Sequence, residues 1–513
     1  MATYHLQSFP TKPRVFLLTS PSNTDSLCRY LLYANQFTTE GIVTCTSTHQ
    51  RTTPSEDPLH AILDAYAFAV PNLNAHVRPE HPYPPASHLK ALVKPGAETY
   101  GMAAIGDDIP TSPGAQLLYD RILAPSLQPL WVLCWAGTNT LAQTLLKIDS
   151  AFSPEDSQRL LSRLRVYAIS DQDDTGVWIR NSFPDIFYIA SVHGWGQYGL
   201  AAWTGISGEK QYGFDQGGPD PAKLENRWIK ENIQIGPLGS AYPDPESTSI
   251  RESGTPTFLY LIQNGLSVPE LPDFGSWGGR YTRTDVSPNG LNSNHHSDTV
   301  DRVLGADGRT HTSNHATIWR WRNAFQNDFA ARVKWSTTPD FTEANHHPVV
   351  SINKDTGLHP LRLEAEAGES ITLDASASYD PDSKDTLTFK WWHYKEPSAT
   401  QWHVSSEVSS LSIKPLDGES RKVQVTLPPP EECAVNFTSK KPEVKGQLLH
   451  LILEVTDSGN GGGLPLTTYR RVSIQATNKE LKGGAKDGGA IPQVLAAAQP
   501  HAGGVTKSHE PSA

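Results

Sequence analysis

The densest group of chemistry-bearing side chains is Asp171-Gln172-Asp173-Asp174, directly after the apolar run RVYAIS. Three carboxylates within four residues could gather a cation. Alternatively, one of them, its pKa raised by its neighbours, could act as a general acid or base. The plainer alternative is a solvated turn that caps the next helix. Trp178 and Arg180 follow, offering a stacking face and a donor to hydroxyl or carboxylate groups. A second polar loop, residues 19–26, carries a single carboxylate, Asp25, with Asn23 close by. Asp25 reads either as a ligand or base, or as a helix N-cap; Asn23 reads as a contact to a sugar hydroxyl or as an Asx turn. A third loop, Gly137-Thr138-Asn139-Thr140, brings hydroxyl and amide groups to the start of another helix, where Asn139 or Thr140 could equally serve as a cap.

These loops share a position because the elements before them are of one kind. RVFLLT, GIVTCTS, WVLCW and RVYAIS are apolar runs of strand length, the pattern of strands buried on both faces of a parallel sheet. Helical patterns lie between them. Leu27/Leu31 and Cys28/Leu32 fall at i,i+4, and Ser153-Pro154-Glu155-Asp156 combines a capping Ser, a first-turn Pro and two acids favoured by the helix dipole. Strand–helix alternation predicts a parallel sheet covered by helices, and ligands of such sheets bind beyond the carboxyl ends of the strands. The candidate loops sit there.

Past residue 348 the period changes. ITLDASAS, TLTFKWWHY, KVQVTL, LLHLILEVTD and TYRRVSIQA read as strands, and in TLTFKWWHY residues Leu387, Phe389 and Trp391 fall on one face. Asp380-Pro381-Asp382 is turn chemistry. The expected organisation is an α/β domain over residues 14–335, a linker over 336–347, an all-β sandwich over 348–477 and a disordered tail over 478–513. Trp391, Trp392 and Trp402 could form a sugar-stacking platform, although core filling is the expectation for Trp391. His295-His296 and His346-His347 are adjacent pairs. Neighbouring side chains on a strand face opposite ways, so polar loop positions are expected rather than a shared metal.

Net charge is −11, which argues against nucleic acid or an anionic membrane as partner. No apolar run reaches the length of a membrane span or of a secretory leader, so a cytoplasmic location is the default expectation. The four cysteines lack metal spacing, and three of them lie in expected core segments, so disulfides are not expected.

The order LLT…SLCRYLLYANQFTTEGIVTCTS, WVLCWAGTNTLAQTL, YAISDQDDTGVWIR, ESGTPTFLYLIQNGL and WGGRYTR resembles the nucleoside-hydrolase-like proteins first described as cellulose-binding. DASASYDPDSKDTLTFKWWHY resembles that family's C-terminal Ig-like domain. The resemblance implies a nucleoside-hydrolase-like α/β domain followed by an Ig-like sandwich. It also implies hydrolysis of N-glycosidic or related glycosyl bonds, with Ca²⁺ held by clustered aspartates, a hard cation that takes six to eight oxygens. By resemblance, Thr138 and Asn139 line the pocket, and Asp25 with a carbonyl at Thr138 would contribute to the ion. Asp25, Asp171, Asp173, Asp174 and Glu252 would be the catalytic acids, with a nucleoside, glycoside or glycan as ligand. Two departures stand out. The family's first strand ends in Thr-Asp and leads to an Asp-Asp pair, whereas this chain has Thr19-Ser20 and a loop about four residues shorter. The family motif Glu-Gly-Asp-Thr-Pro is here Glu252-Ser253-Gly254-Thr255-Pro256. The loss of acids from both motifs favours a carbohydrate-binding protein, or a relative reassigned to metal-free chemistry.

Overall fold

The computed structural model describes residues 2–9, 11–52, 55–191, 198–244, 251–284, 293–398, 407–436, 439–460 and 462–483. Eight strands form the main sheet: β1 (Arg14–Thr19), β2 (Thr38–Thr44), β3 (Val93–Pro95), β4 (Leu130–Cys134), β5 (Leu164–Ala168), β6 (Phe187–Ala190), β7 (Tyr281–Arg283) and β8 (His295–Asp298). Their order is β3-β2-β1-β4-β5-β6-β8-β7. Every neighbouring pair is parallel except β7 on β8. The chain leaves β1 towards β2 on one side and returns on the other through β4. The carboxyl ends of β1 and β4 therefore frame the switch point at which such sheets open a crevice.

The apolar runs became strands because both faces of the sheet are covered. Val15 and Leu17 join one core, while Phe16 and Leu18 join the other, and all four are fully buried. Each such side chain contributes roughly 1.5–3 kcal/mol through burial. The expected Ser153 cap is present, its hydroxyl accepting from the Asp156 N–H of the helix Pro154–Leu161. All four cysteines are buried and unpaired.

A two-stranded ribbon, β9 (Asp301–Leu304) with β10 (Thr310–Ser313), precedes a long helix, Arg322–Thr337. The sandwich follows, with strands β11 (Leu361–Glu366), β12 (Ser370–Asp374), β13 (Thr388–His393), β14 (Ser412–Pro415), β15 (Lys422–Thr426), β16 (Lys445–Thr456) and β17 (Thr467–Thr477). One sheet runs β11-β17-β16-β13 and the other β12-β15-β14. Phe389 and Trp391 are buried in its core, as the period of two predicts. Trp392 points the other way, tilted against Trp321 at 6.0 Å and beneath the Arg320 guanidinium. It belongs to the contact between domains. Trp402 and the tail from residue 484 onward lie outside the described residues.

The two domains share a continuous core, since Tyr394, Ile452 and Tyr469 of the sandwich pack within the apolar cluster of the α/β domain. Arg471 of β17 is fully buried and donates to the carbonyls of Leu266, Phe274 and Gly275. The Tyr469 N–H bonds to Asn264 O at 2.9 Å. Gly265 has φ +88°, and a Cβ there would sit 1.8 Å from Tyr469 O, so the approach requires glycine.

The histidine expectation is corrected for His295 and His296, whereas His346 and His347 do lie in a loop. His295 and His296 lie on β8 rather than in a loop, facing Tyr188 and Phe187 respectively. His346 is fully buried in a stack with His76, Trp335 and Phe341. His347 contacts Asp328 Oδ1 at 2.7 Å. Strand pairing and aromatic packing overrode the polarity of these residues.

Candidate functional site

At the carboxyl end of β1 the chain turns through Ser20, whose hydroxyl shares a 2.7 Å bond with that of Ser22, and enters the helix Thr24–Leu31. Asn23 occupies the cap position without a side-chain cap bond, so the N-cap reading of Asp25 is corrected. Asp25 lies inside the first turn. Three side chains from this turn instead clasp the segment 252–254. Asn23 Oδ1 accepts from Ser253 Oγ at 3.2 Å, Asp25 Oδ2 from the Glu252 N–H at 2.5 Å, and Ser26 Oγ from the Gly254 N–H at 3.1 Å. Asn23 Nδ2 also donates to Trp135 O, which ties both segments to the end of β4. The two stretches that carry metal acids in the resembling family do meet here, but they meet by hydrogen-bonding to each other.

Asp25 keeps part of its surface exposed, yet the packing around it strips water from the carboxyl. Burial pushes its pKa up to about 6, with the Glu252 N–H opposing the shift and the Glu252 charge adding to it. Glu252 has φ +58°, unusual for a side-chain-bearing residue, and is buried. Its carboxylate accepts from Arg29 Nη1 at 2.5 Å and from Tyr242 Oη at 2.8 Å. Arg29, fully buried, also donates to Gln326 Oε1 and Phe325 O. Glu252 thus serves an internal ion pair.

At Gly254 the space for an acid is already filled. A Cβ built there would lie 2.4 Å from ring carbons of Trp135. Trp135 is buried, and its Nε1–H donates to Thr257 Oγ1 at 2.7 Å. The Trp135 ring fills the space into which a side chain at 254 would project.

The acidic cluster after β5 is divided among three structural partners. Asp171 forms a two-point pair with Arg180 at 2.8 and 2.6 Å, and the Arg180 guanidinium lies over the Tyr188 ring. Asp173 is fully buried and bridges two helix starts. It accepts from Asn139 N–H at 3.2 Å, from Thr175 N–H at 3.0 Å and from Thr175 Oγ1 at 2.5 Å. Burial raises its pKa, and these donors counter the rise. Asp174, exposed, accepts from the Met102 N–H at 2.8 Å. Each acid rests against a glycine: a Cβ at Gly176, Gly137 or Gly101 would lie 2.2–2.3 Å from an oxygen of Asp171, Asp173 or Asp174 respectively.

Thr138, not Asn139 or Thr140, occupies the cap position of the helix Asn139–Ala151, and its carbonyl accepts from the Ala142 N–H. Its hydroxyl shares a 2.7 Å bond with Thr175 Oγ1. Asn139 Nδ2 donates to Thr46 Oγ1 and Thr99 O. Trp178 packs edge-on against Phe183 on the second core face. Of the expected residues, the fold brings Asn23, Asp25 and Glu252 together at one point, and Thr138, Asn139 and Asp173 at a second. Arg180 and Trp178 are turned into packing.

A rim absent from the sequence-based expectations surrounds this end of the sheet. Thr48 Oγ1 and Tyr100 Oη both donate to Gln172 O, at 2.8 and 3.0 Å. Exposed Arg51 lies over the Tyr100 ring at 4.6 Å, and exposed His49 sits 5.9 Å from the Tyr198 ring. Tyr198 in turn packs edge-on against Trp203, whose Nε1–H donates to Ser170 Oγ. These residues lie on four segments separated in sequence, with no recognisable spacing. The one sequence signal is that residues 45–51 follow a buried strand directly.

A Ca²⁺ cage of the implied kind does not fit these residues. Asp25, Asp171, Asp173 and Glu252 have their oxygens committed to protein donors, and the Thr138 carbonyl is held in its helix. Among the described residues, no three acids converge at the sheet end. No described helix is long and apolar enough to cross a membrane.

The fold and this site define a nucleoside-hydrolase-like α/β domain joined to a strand-rich C-terminal domain. The chain belongs to the family of the cellulose-binding Sde182 protein: the model of its nucleoside hydrolase-like domain matches residues 14–281, and that of the Sde0182 C-terminal domain matches residues 370–476. It is also similar to a solved nucleoside hydrolase-related hypothetical protein from Saccharophagus degradans, associated with carbohydrate metabolism. That similarity has 29% identity and a TM-score of 0.71, and covers 91% of this chain and 100% of the other. Among curated proteins, none matches this chain.

Proposed function

We propose that this protein binds carbohydrate, of the cellulose type, at the carboxyl end of the parallel sheet and does not hydrolyse it. The observation that carries this reading is the commitment of the buried acids of the old catalytic hollow to structural bonds, together with the Trp135 ring where an acid at 254 would project. Hydrolysis of an N-glycosidic bond needs a carboxylate free to activate water and a group to hold it. Here Asp25, Asp171, Asp173 and Glu252 hold the fold. The rim suits a polar, flat ligand: Tyr100, Arg51, His49 and Tyr198 offer ring and guanidinium faces, and Ser22 and Asp174 offer exposed hydrogen-bonding groups. The family's description as cellulose-binding supports the ligand class.

The test is binding of cello-oligosaccharides to the full chain and to Tyr100→Ala. The proposal predicts measurable binding, weakened roughly tenfold in the variant, with no release of reducing sugar. It also predicts no ribose release from nucleosides, with or without a chelator. Chelator-sensitive ribose release would overturn it.

A further inference from the structure

The only described group of three acids whose ligand atoms converge lies in the sandwich, far in sequence from the sheet end: Asp380, Asp382 and Asp385. Their oxygens fall within 4.8 Å of one another. Opposite ligands of a cation bound at about 2.4 Å stand about 4.8 Å apart, so one ion could reach all three. By sequence Asp380-Pro381-Asp382 reads as turn chemistry, but a turn does not account for what surrounds it.

Two further oxygens, on segments hydrogen-bonded to one another and to the cluster, are buried and unbonded. Asp457 is 3% exposed. Its Oδ1 accepts from Asn345 Nδ2, Gly459 N–H and Leu466 N–H, which leaves its buried Oδ2 without a partner. The loop carrying it is fastened to the cluster, since Asp385 Oδ1 accepts from Ser458 Oγ at 2.6 Å and from the Asn460 N–H at 2.7 Å. Asn345 is 1% exposed, and its Nδ2 is pinned by two acceptors, Asp457 Oδ1 and Leu464 O. That fixes the amide orientation and leaves its Oδ1 buried with no donor. Asp380 Oδ2 is likewise buried and unpartnered. An orphaned buried acceptor is costly, and three in one neighbourhood, beside further carboxylates, call for a positive group.

We infer that Asp380, Asp382 and Asp385 form a Ca²⁺ site, flanked by the buried acceptors of Asp457 and Asn345, that staples the interdomain linker to two loops of the β-sandwich. The ligand set is all oxygen and irregular, which suits Ca²⁺ rather than zinc or copper. The nearest imidazole, His346, is already engaged with Asp382 through Nδ1 at 3.1 Å and with His76 through Nε2 at 3.0 Å. Asn345 and His346 lie on the linker after the helix Arg322–Thr337, Asp380 to Asp385 lie between β12 and β13, and Asp457 follows β16. A cation there would hold the sandwich to the α/β domain by a joint independent of the carbohydrate site.

The test is calorimetric titration of Ca²⁺ into the chelator-treated full chain, with thermal melts in parallel. The wild type should bind one ion, and its Tm should rise by about 5 °C at about 1 mM Ca²⁺. Asp380→Asn keeps the shape and the Oδ1 that accepts from the Asp382 N–H. It should fold, yet lose at least tenfold in Ca²⁺ affinity and most of the Tm rise. Asp25→Asn, at the sheet end, should bind Ca²⁺ as the wild type does. No heat and no Tm shift in the wild type would overturn the inference. So would binding that survives Asp380→Asn but is lost in Asp25→Asn.

Discussion

At the scale of the residue, the central finding is that acids with a catalytic look have structural occupations. Glu252 neutralises a fully buried Arg29, so Glu252→Gln should destabilise by about 3–5 kcal/mol, the cost of stranding one partner of a buried pair. Urea unfolding measures this. Gly254→Asp, which restores the family acid, should cost about 1–3 kcal/mol by overpacking against Trp135 and should create no hydrolase activity. Asp25 gives a pH signature. Its folded pKa, about 6, lies above the ordinary carboxylate value, so the folded state binds the proton more tightly than the unfolded chain. The associated stability is present in full below about pH 4 and is lost as pH rises through about 6. Relative to Asp25→Asn, the wild type should therefore lose stability across that window, and unfolding at four or five pH values reads it. Identical pH profiles would show that the carboxyl is not desolvated.

At the scale of the element, Asp173 does the work of two caps. It joins the start of the Asn139 helix to the start of the Thr175 helix, so Asp173→Ala should cost roughly 1–4 kcal/mol, one to two times a single cap. The placement of Asp173 was legible in the sequence, since an acid after a buried strand and before a helix belongs at a strand end. Its job was not, because the second helix it caps begins 34 residues earlier in the chain. The same limit explains the other differences. The strands β1, β2, β4 and β5 were readable from continuous apolar runs, and the Ser153 cap from local chemistry. His295 and His296 were not readable as a strand, because only the neighbouring β6 and β7 make them one. The cap positions of Asn23 and Thr138 differ from expectation by one or two residues, the usual error when no side-chain cap bond marks the helix start.

At the scale of the whole molecule, the two domains are parts of one core rather than beads on a linker. Arg471 is the keystone, donating to carbonyls of the α/β domain and, through Nη1, to His450 Nδ1 of β16. Arg471→Met should loosen the sandwich, lower Tm and expose the linker to limited proteolysis, with cleavage near residues 338–347. The two-domain architecture was visible in the change of period past residue 348. The interface was not, because Trp392, Arg471 and Tyr469 have strand periodicity and face a partner that no local pattern reveals. The rim of His49, Arg51, Tyr100 and Tyr198 was hidden for the same reason: it is assembled from loops distant in sequence around a hollow whose acids are spent.

The most direct measurement is a calorimetric titration of cellohexaose into the full chain at neutral pH with Ca²⁺ present. Binding without chemistry produces heat that returns to baseline after each injection and saturates, and that is the predicted record. Thermal power that persists as substrate is consumed would show turnover and would contradict the account.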